Sequence, residues 1–112
     1  MKDVIFDENA RKIIKTFPKE IRLELGKYIL QLQSGFKLDM PVSKAMSTID
    51  KGAYEIRIKD NDGNYRVFYY QKYITGILIF HAFMKKTQKT PKKEIDIAKK
   101  RLKILLGELK NG

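Results

Sequence analysis

Five ionisable side chains are the main candidates for chemistry in this sequence. They are Glu55, Arg57, Arg66, His81 and Lys85. His81 is the single histidine, and because an imidazole titrates near neutral pH it can give or take a proton. Metal-free RNA cleavage needs a base for the 2′-hydroxyl, cations to offset charge on the phosphorane, and an acid for the leaving oxygen. The set contains all three types of group, and the residue types leave open which group is the base and which is the acid.

Each candidate also has a structural interpretation. His81 can be a structural histidine, hydrogen-bonded beneath a loop. The planar guanidinium groups of Arg57 and Arg66 can donate paired hydrogen bonds to a phosphate. They can equally lie on a solvated strand face with an ion pair to Glu55. Tyr70 can stack on an unpaired base or belong to the edge of the core.

A second group of residues is predicted to bind RNA without taking part in the chemistry. This group is Lys59, Tyr70, Lys86, Lys89, Lys92 and Lys93. Four of these lysines, with Lys85, lie in a nine-residue run before a predicted helix. Backbone amides at a helix start add to the positive potential and favour an anion there. The alternative is an ordinary solvated run of charge.

Composition narrows the class of protein. The 112 residues carry 24 Lys and Arg against 13 Asp and Glu, a net charge of +11, which favours a polyanionic partner. The absence of cysteine excludes disulfides, a thiolate nucleophile and cysteine-based metal sites, and one histidine excludes multi-histidine sites. We therefore expect no metal and no cofactor. The length predicts one domain, residues 1–112. No segment is apolar enough for a secretory signal or a membrane span, so a cytoplasmic location without membrane contact is expected.

The N-terminal half reads as a strand followed by two helices. Val4–Phe6 is the strand, and Asp7 is a good N-cap for the helix that follows. Apolar residues then recur at helical spacing on both sides of Pro18, which ends one helix and begins the next. We expect this hairpin to pack on a sheet, the alternative being DNA binding. Residues 35–52 are predicted to form a connection with one helical turn around residues 43–48.

From Ala53 the hydrophobic period changes to two, which predicts a β-hairpin. Asp62-Gly63 is typical of a two-residue type I′ turn, and this turn would pair Lys59 with Arg66. The alternation divides the side chains between two faces. One face carries Glu55, Arg57, Lys59, Arg66, Phe68 and Tyr70, and the other carries Tyr54, Ile56, Ile58, Tyr65, Val67 and Tyr69. The second face is apolar and is expected to cover the helical hairpin.

The C-terminal part is predicted to contain a turn at residues 73–76, a central strand, a basic loop and a helix. Ile77–Phe83 is dense in β-branched and aromatic residues, and Thr90 and Pro91 suit the N-cap and first position of the helix. The apolar residues of this helix are expected to pack on the chain's own sheet, the alternative being the surface of a partner. The resulting order is β-α-α-β-β-β-α, an α+β fold with an antiparallel sheet packed on an N-terminal helical hairpin and a C-terminal helix.

Three stretches of this sequence resemble a known family. They read Glu55-x-Arg57, Asp62-Gly63-x-Tyr65-Arg66-Val67, and His81-x-Phe83-x-Lys85-Lys86-Thr87-x-Lys89-Thr90-Pro91. The pattern resembles the phage-derived HigB-like toxins, a branch of the RelE/ParE superfamily of type II toxin–antitoxin systems. Arg57 and Arg66 match the sheet arginines of the family. His81, Lys85 and Lys86 match its histidine and the lysines after it.

The resemblance implies an endoribonuclease, an mRNA interferase that enters the ribosomal A site and cuts mRNA there. It also implies a RelE-like fold and neutralisation by a cognate HigA-like helix-turn-helix antitoxin, and we expect the free toxin to be monomeric. Two other functions fit the same sequence. One is a ParE-like toxin that inhibits DNA gyrase without catalysis, because a shared fold does not determine activity. The other is a non-toxic basic phage protein that binds nucleic acid.

Overall fold

A computed structural model describes residues 1–74, 76–86 and 89–111 of the chain. These residues contain, in order, β1 (Asp3–Phe6), α1 (Glu8–Lys15), α2 (Lys19–Gln33), β2 (Ser43–Ala45), β3 (Ala53–Lys59), β4 (Asn64–Tyr70), β5 (Gly76–Lys85) and α3 (Lys92–Asn111). The α+β class is confirmed. Thr75 in the predicted turn, and Thr87 and Gln88 in the predicted basic loop, lie outside the described residues.

The two N-terminal helices begin where the sequence predicts. The Asp7 carboxylate accepts a hydrogen bond from the Ala10 amide at 3.0 Å, which caps α1. Pro18 stands at the N-cap of α2, and α2 is followed by Gly35, whose φ of 91° is left-handed. None of the helices in the described part of the chain is both long enough and apolar enough to cross a bilayer.

The sheet is mixed rather than antiparallel, which corrects the prediction. Its strand order is β1-β5-β4-β3-β2; β1 runs parallel to β5, and the other neighbouring pairs are antiparallel. Between the parallel strands β1 and β5 lie α1, α2 and the strands β2 to β4, a connection long enough for parallel pairing. The predicted helical turn around residues 43–48 lies later than expected: Ser43–Ala45 forms the edge strand β2, and the turn begins at Met46, whose carbonyl accepts from the Ile49 and Asp50 amides.

The turn between β3 and β4 is longer than predicted. Lys59 pairs with Asn64, so residues 60–63 form a four-residue loop in place of the two-residue type I′ turn. Asp60 holds this loop because its carboxylate accepts hydrogen bonds from the amides of Asp62 and Gly63. The predicted pairing of Lys59 with Arg66 was therefore wrong by two residues, and a shift of two leaves every side chain on its predicted face.

Both faces of the sheet are covered. The helices α1 and α2 pack on the face that carries Ile56, Ile58 and Val67, which confirms the packing role of the hairpin. The helix α3 packs on the opposite face against Phe68 and Phe80, as expected for its apolar residues.

A bulge in β5 decides which of its side chains face α3. Phe68 pairs with His81 but Tyr69 pairs with Ile79, so Phe80 is an extra residue in β5. Side chains alternate along a strand, and the extra residue shifts this alternation by one position. As a result, His81 shares the α3 face with Phe80. The same shift brings Phe83 and Lys85 to that face.

Candidate active site

Two arginines stand opposite each other on the α3 face of the sheet. Arg57 of β3 pairs directly with Arg66 of β4, an arrangement in which like charges repel. The carboxylate of Glu55 offsets this repulsion: its Oε1 lies 3.4 Å from Arg66 Nε and 3.7 Å from Arg57 Nε. The Arg66 side chain is buried, while that of Arg57 is 25 % exposed. Arg57 is thus the more accessible of two guanidinium groups held by one buried carboxylate.

The same carboxylate is tied to the start of α3. Glu55 Oε2 accepts a hydrogen bond from the Thr90 hydroxyl at 2.9 Å, and Thr90 Oγ1 accepts one from Lys85 Nζ at 3.3 Å. The hydroxyl predicted to cap α3 thus bonds to the sheet. We call Glu55, Arg57, Arg66, Lys85 and Thr90 the cationic cluster.

Lys85 is chemically unusual within this cluster. Burial, reinforced by the positive charges of Arg66 and Arg57, lowers the pKa of Lys85 to about 8, although Glu55 opposes the shift. The Lys85 side chain is therefore able to exchange a proton close to neutral pH. Arginine cannot do this, because a guanidinium stays protonated throughout the physiological range.

Arg66 is fixed in place but incompletely bonded. Burial lowers its pKa, and the charge of Glu55 opposes that effect. Its Nε is the one buried side-chain nitrogen or oxygen without a hydrogen-bond partner among the described residues, despite the nearby Glu55 carboxylate. A buried N–H of this kind costs free energy unless something accepts its hydrogen bond, and a functional role is one of the reasons for which proteins keep such an atom.

The structure brings His81 to the same face, but into a separate set of contacts. His81 Nε2 lies 2.9 Å from Glu94 Oε1, and His81 Nδ1 lies 3.0 Å from Arg101 Nη1. Arginine can only donate, so Nδ1 is the acceptor and Nε2 carries the hydrogen that is donated to Glu94. Burial lowers the pKa of His81, although the hydrogen bond to Glu94 opposes this shift. The lowered pKa favours the neutral ring. We call His81, Glu94 and Arg101 the histidine cluster.

The residues predicted to bind RNA are distributed unevenly. Lys59 and Lys86 are exposed beside the β3–β4 loop, where they line a shallow depression. Lys89, Lys92 and Lys93 are exposed before or within the first turn of α3. Tyr70 is not part of this group. It lies four residues along β4 from Arg66, about 13 Å at the usual strand rise, and it pairs with Ala53.

A cavity of about 300 Å³ opens beside the cationic cluster. Arg57 and Arg66 line it together with Glu24 and Tyr28 of α2. Sequence reasoning missed Glu24 and the contact that Thr90 makes with Glu55. The spacing of Glu24 and Tyr28, four residues apart on α2, was the available signal, because such residues are neighbours on a helix surface.

Comparison with solved structures places this fold among known ones. The free-state structure of a double mutant of the E. coli toxin RelE is similar, with a TM-score of 0.62. It is 14% identical in sequence, and the match covers 91% of this chain and 95% of that one. The chain therefore has the fold of the RelE-type proteins. No curated protein sequence matches it.

The family follows from the sequence comparison. The family described as phage-derived protein Gp49-like (DUF891) matches residues 12–103, which is most of the chain. This chain belongs to the Gp49-like family. Together with the fold, this membership confirms the predicted place in the RelE/ParE superfamily of toxins, while the narrower assignment to the HigB-like branch stays a prediction.

Proposed function

We propose that this protein is the toxin of a type II toxin–antitoxin system, an endoribonuclease that cuts mRNA in the ribosomal A site. The observation that carries the proposal is the cationic cluster. It places two guanidinium groups and an amine with a pKa of about 8 around one buried carboxylate. Such a set can bind a phosphodiester, offset the charge that develops on it, and move a proton.

The proposed reaction is an in-line attack of the 2′-oxygen on the neighbouring phosphorus, without a metal. Neutral Lys85 takes the proton of the 2′-hydroxyl, and the new P–O2′ bond forms as the P–O5′ bond breaks. Arg57 and Arg66 bind the phosphoryl oxygens, whose negative charge grows in the phosphorane. The 5′-oxygen leaves with a proton from water, so the products are a 2′,3′-cyclic phosphate and a 5′-hydroxyl.

Glu55 and Thr90 are positioning residues in this mechanism. The Glu55 carboxylate sets the direction of both guanidinium groups, and its second oxygen holds Thr90. Thr90 in turn accepts a hydrogen bond from the Lys85 amine. For His81, predicted from sequence to be catalytic, we propose a positioning role instead. Glu94 and Arg101 already occupy both of its ring nitrogens.

The exposed lysines around the cluster supply attraction to RNA rather than chemistry. We propose Lys59, Lys86, Lys89, Lys92 and Lys93 for this role, because all five are exposed. Tyr70 is proposed only as a contact to a more distant nucleotide, given its position on β4. A HigA-like antitoxin remains the proposed partner and the cytoplasm the proposed location, on the strength of the family resemblance.

The test combines growth with RNA chemistry. Induced expression is expected to arrest growth, and mapping of mRNA 5′ ends is expected to find cuts within translated codons. Purified toxin, dialysed against EDTA and added to programmed ribosomes, should leave a 2′,3′-cyclic phosphate and a 5′-hydroxyl. Growth arrest with DNA-damage signalling and intact mRNA would instead indicate a gyrase inhibitor. Harmless overexpression would favour the non-toxic nucleic-acid-binding alternative.

A further inference from the structure

The cavity beside the cationic cluster has a mixed lining. Its lining combines Arg57 and Arg66, which belong to the α3 face of the sheet, with Tyr28, Val42 and Ile58, which belong to the α1–α2 face, so the cavity lies at the sheet edge where the two faces meet. A volume of about 300 Å³ lies at the lower end of ligand-binding pockets, which are roughly 300–1,000 Å³. A cavity of this size and lining suits a small flat ring attached to an anion.

The edge of the sheet explains why the cavity exists. The edge strand β2 pairs with β3 only as far as Ile56, and the last hydrogen bond on that side joins the Arg57 amide to the Val42 carbonyl at 2.8 Å. Beyond this point Ile58 and Lys59 extend past β2. The helix α2 continues alongside, and the cavity opens between α2 and the uncovered end of β3.

The carboxylate of Glu24 gives the cavity a directional hydrogen-bond acceptor. The Tyr28 hydroxyl donates to Glu24 Oε2 at 3.2 Å, which orients the carboxylate. An ionised carboxylate can only accept hydrogen bonds. It therefore attracts an amino group and disfavours a carbonyl oxygen at the same position. Among RNA bases, adenine, cytosine and guanine carry an exocyclic amino group, whereas uracil has none and presents its single N3–H donor between two carbonyl oxygens.

We propose that this cavity holds the unpaired base next to the cleaved phosphate, and that Glu24 selects bases with an exocyclic amino group over uracil. The inference rests on the proposed function, because Arg57 and Arg66 would bind the phosphate while the attached nucleoside enters the cavity. Tyr28 supplies an aromatic surface for the base, as proteins that read unpaired RNA commonly do. Glu24 is then a specificity-determining residue that leaves the chemical step to the cationic cluster.

The first experiment maps cleavage sites for the wild type and for Glu24→Gln. Glutamine has nearly the same size but presents both a donor and an acceptor, so it can bond uracil as well as the amino-bearing bases. We expect the wild type to disfavour uracil at one position beside the cut by about tenfold, the usual scale of one hydrogen-bonded base contact. Glu24→Gln should bring this preference to within twofold.

Glu20→Gln is the matched control. Glu20 lies in the first turn of the same helix, is exposed and does not line the cavity. Glu20→Gln removes the same charge from the same helix as Glu24→Gln. Because Glu20 lies outside the cavity, this variant should keep the wild-type base preference. An unchanged preference in Glu24→Gln, or an equal loss of preference in Glu20→Gln, would overturn the inference.

A binding measurement separates this inference from the proposed function. The four ribonucleoside 5′-monophosphates are titrated into the full chain, and NMR follows the Tyr28 ring and the Val42 methyl groups. We expect AMP, CMP and GMP to bind at least fivefold more tightly than UMP, and Glu24→Gln to remove the difference. If the wild type cleaves no RNA yet shows this preference, the proposed function fails and the base-selective cavity stands. Equal binding of all four nucleotides would overturn the cavity assignment whatever the cleavage result.

Discussion

The cationic cluster and the histidine cluster occupy the same face of the same sheet, yet they differ in how completely they are bonded. In the histidine cluster, both ring nitrogens of His81 have partners on α3, and the ring packs near Phe68 and Phe83 with centroid distances of 5.8 and 5.4 Å. In the cationic cluster, Arg66 Nε has no hydrogen-bond partner among the described residues.

The difference supports the separate roles proposed for the two clusters. A polar group that is buried and fully bonded fixes structure, whereas an incompletely bonded one can still act on a ligand. The lowered pKa of Lys85 points the same way, because perturbed groups beside a cleft tend to be functional. The histidine cluster has the chemistry of an active site, but its contacts join α3 to β5.

The largest expected effect is at Lys85. Lys85→Arg keeps the positive charge but removes the neutral amine, so cleavage should fall by about 10²–10⁴-fold, the range for a general base. In the wild type, kcat/KM should rise about tenfold per pH unit up to the pKa of about 8 and then level off. The rate rises with pH because, below the pKa, the amine that must accept a proton is already protonated.

Single-turnover cleavage between pH 6.5 and 9 measures this effect, with Lys86→Arg as the control. Lys86 is the next residue and is exposed, so its replacement should leave the profile unchanged. A rate that falls above pH 8 would make Lys85 the acid instead of the base.

Arg57 comes next. Arg57→Ala should reduce cleavage by about 10²–10³-fold, because one cation is lost from the developing charge. Stability should change little, since Arg66 remains to pair with Glu55. Cleavage assays and thermal melts check this, with Arg11→Ala on the exposed side of α1 as the control. Activity within threefold of wild type would remove Arg57 from the site.

For the histidine cluster we expect the opposite result, a large loss of stability with a small loss of cleavage activity. His81→Ala should lower the free energy of unfolding by about 2–4 kcal/mol, because it leaves a cavity and strips Glu94 and Arg101 of their partner. Cleavage per folded molecule should fall less than tenfold. Urea denaturation measures the free energy of unfolding, and a cleavage assay at low temperature measures the activity per folded molecule. A stable but inactive variant would make His81 catalytic and cancel the distinction between the clusters.

The smallest effect concerns the outer lysines. The triple substitution of Lys86, Lys92 and Lys93 by Ala should weaken binding to single-stranded RNA and lower the slope of log K against log salt by about 2. The matched triple substitution of Lys12, Lys15 and Lys19, exposed on the opposite helical layer, should leave the slope unchanged. Equal slopes for both triples would mean that attraction comes from net charge alone.

Sequence reasoning predicted the faces of the hairpin better than its pairing. Glu55, Arg57 and Arg66 were assigned to one face, and they lie together there. The pairing was wrong because Asp60 stabilises a longer loop with its own carboxylate, a local choice that Asp-Gly does not reveal. The error in pairing did not change which residues were predicted to share the site, because a shift of two residues preserves the alternation of side chains between the two faces.

Other features needed contacts between distant segments. The parallel pairing of β1 with β5 joins residues some 70 positions apart, and apolar strands at that separation do not specify direction. Thr90 looked like a helix cap from its neighbours in sequence, but it donates to a carboxylate 35 residues away. Glu24 belongs to the candidate site only because α2 runs beside the end of β3.

The sequence by itself determined the α+β class, the starts of α1 and α2, the two faces of the hairpin and the basic character of the surface, because all of these follow from local spacing and composition. The start of α3 lies one residue later than predicted, at Lys92. Only the tertiary structure decided which contacts His81 and Lys85 make. The extra residue Phe80 shifts the alternation of β5 and brings both side chains to the face of α3. There α3 encloses His81 with Glu94 and Arg101, while Lys85 lies beside Arg57 and Arg66, which lower its pKa.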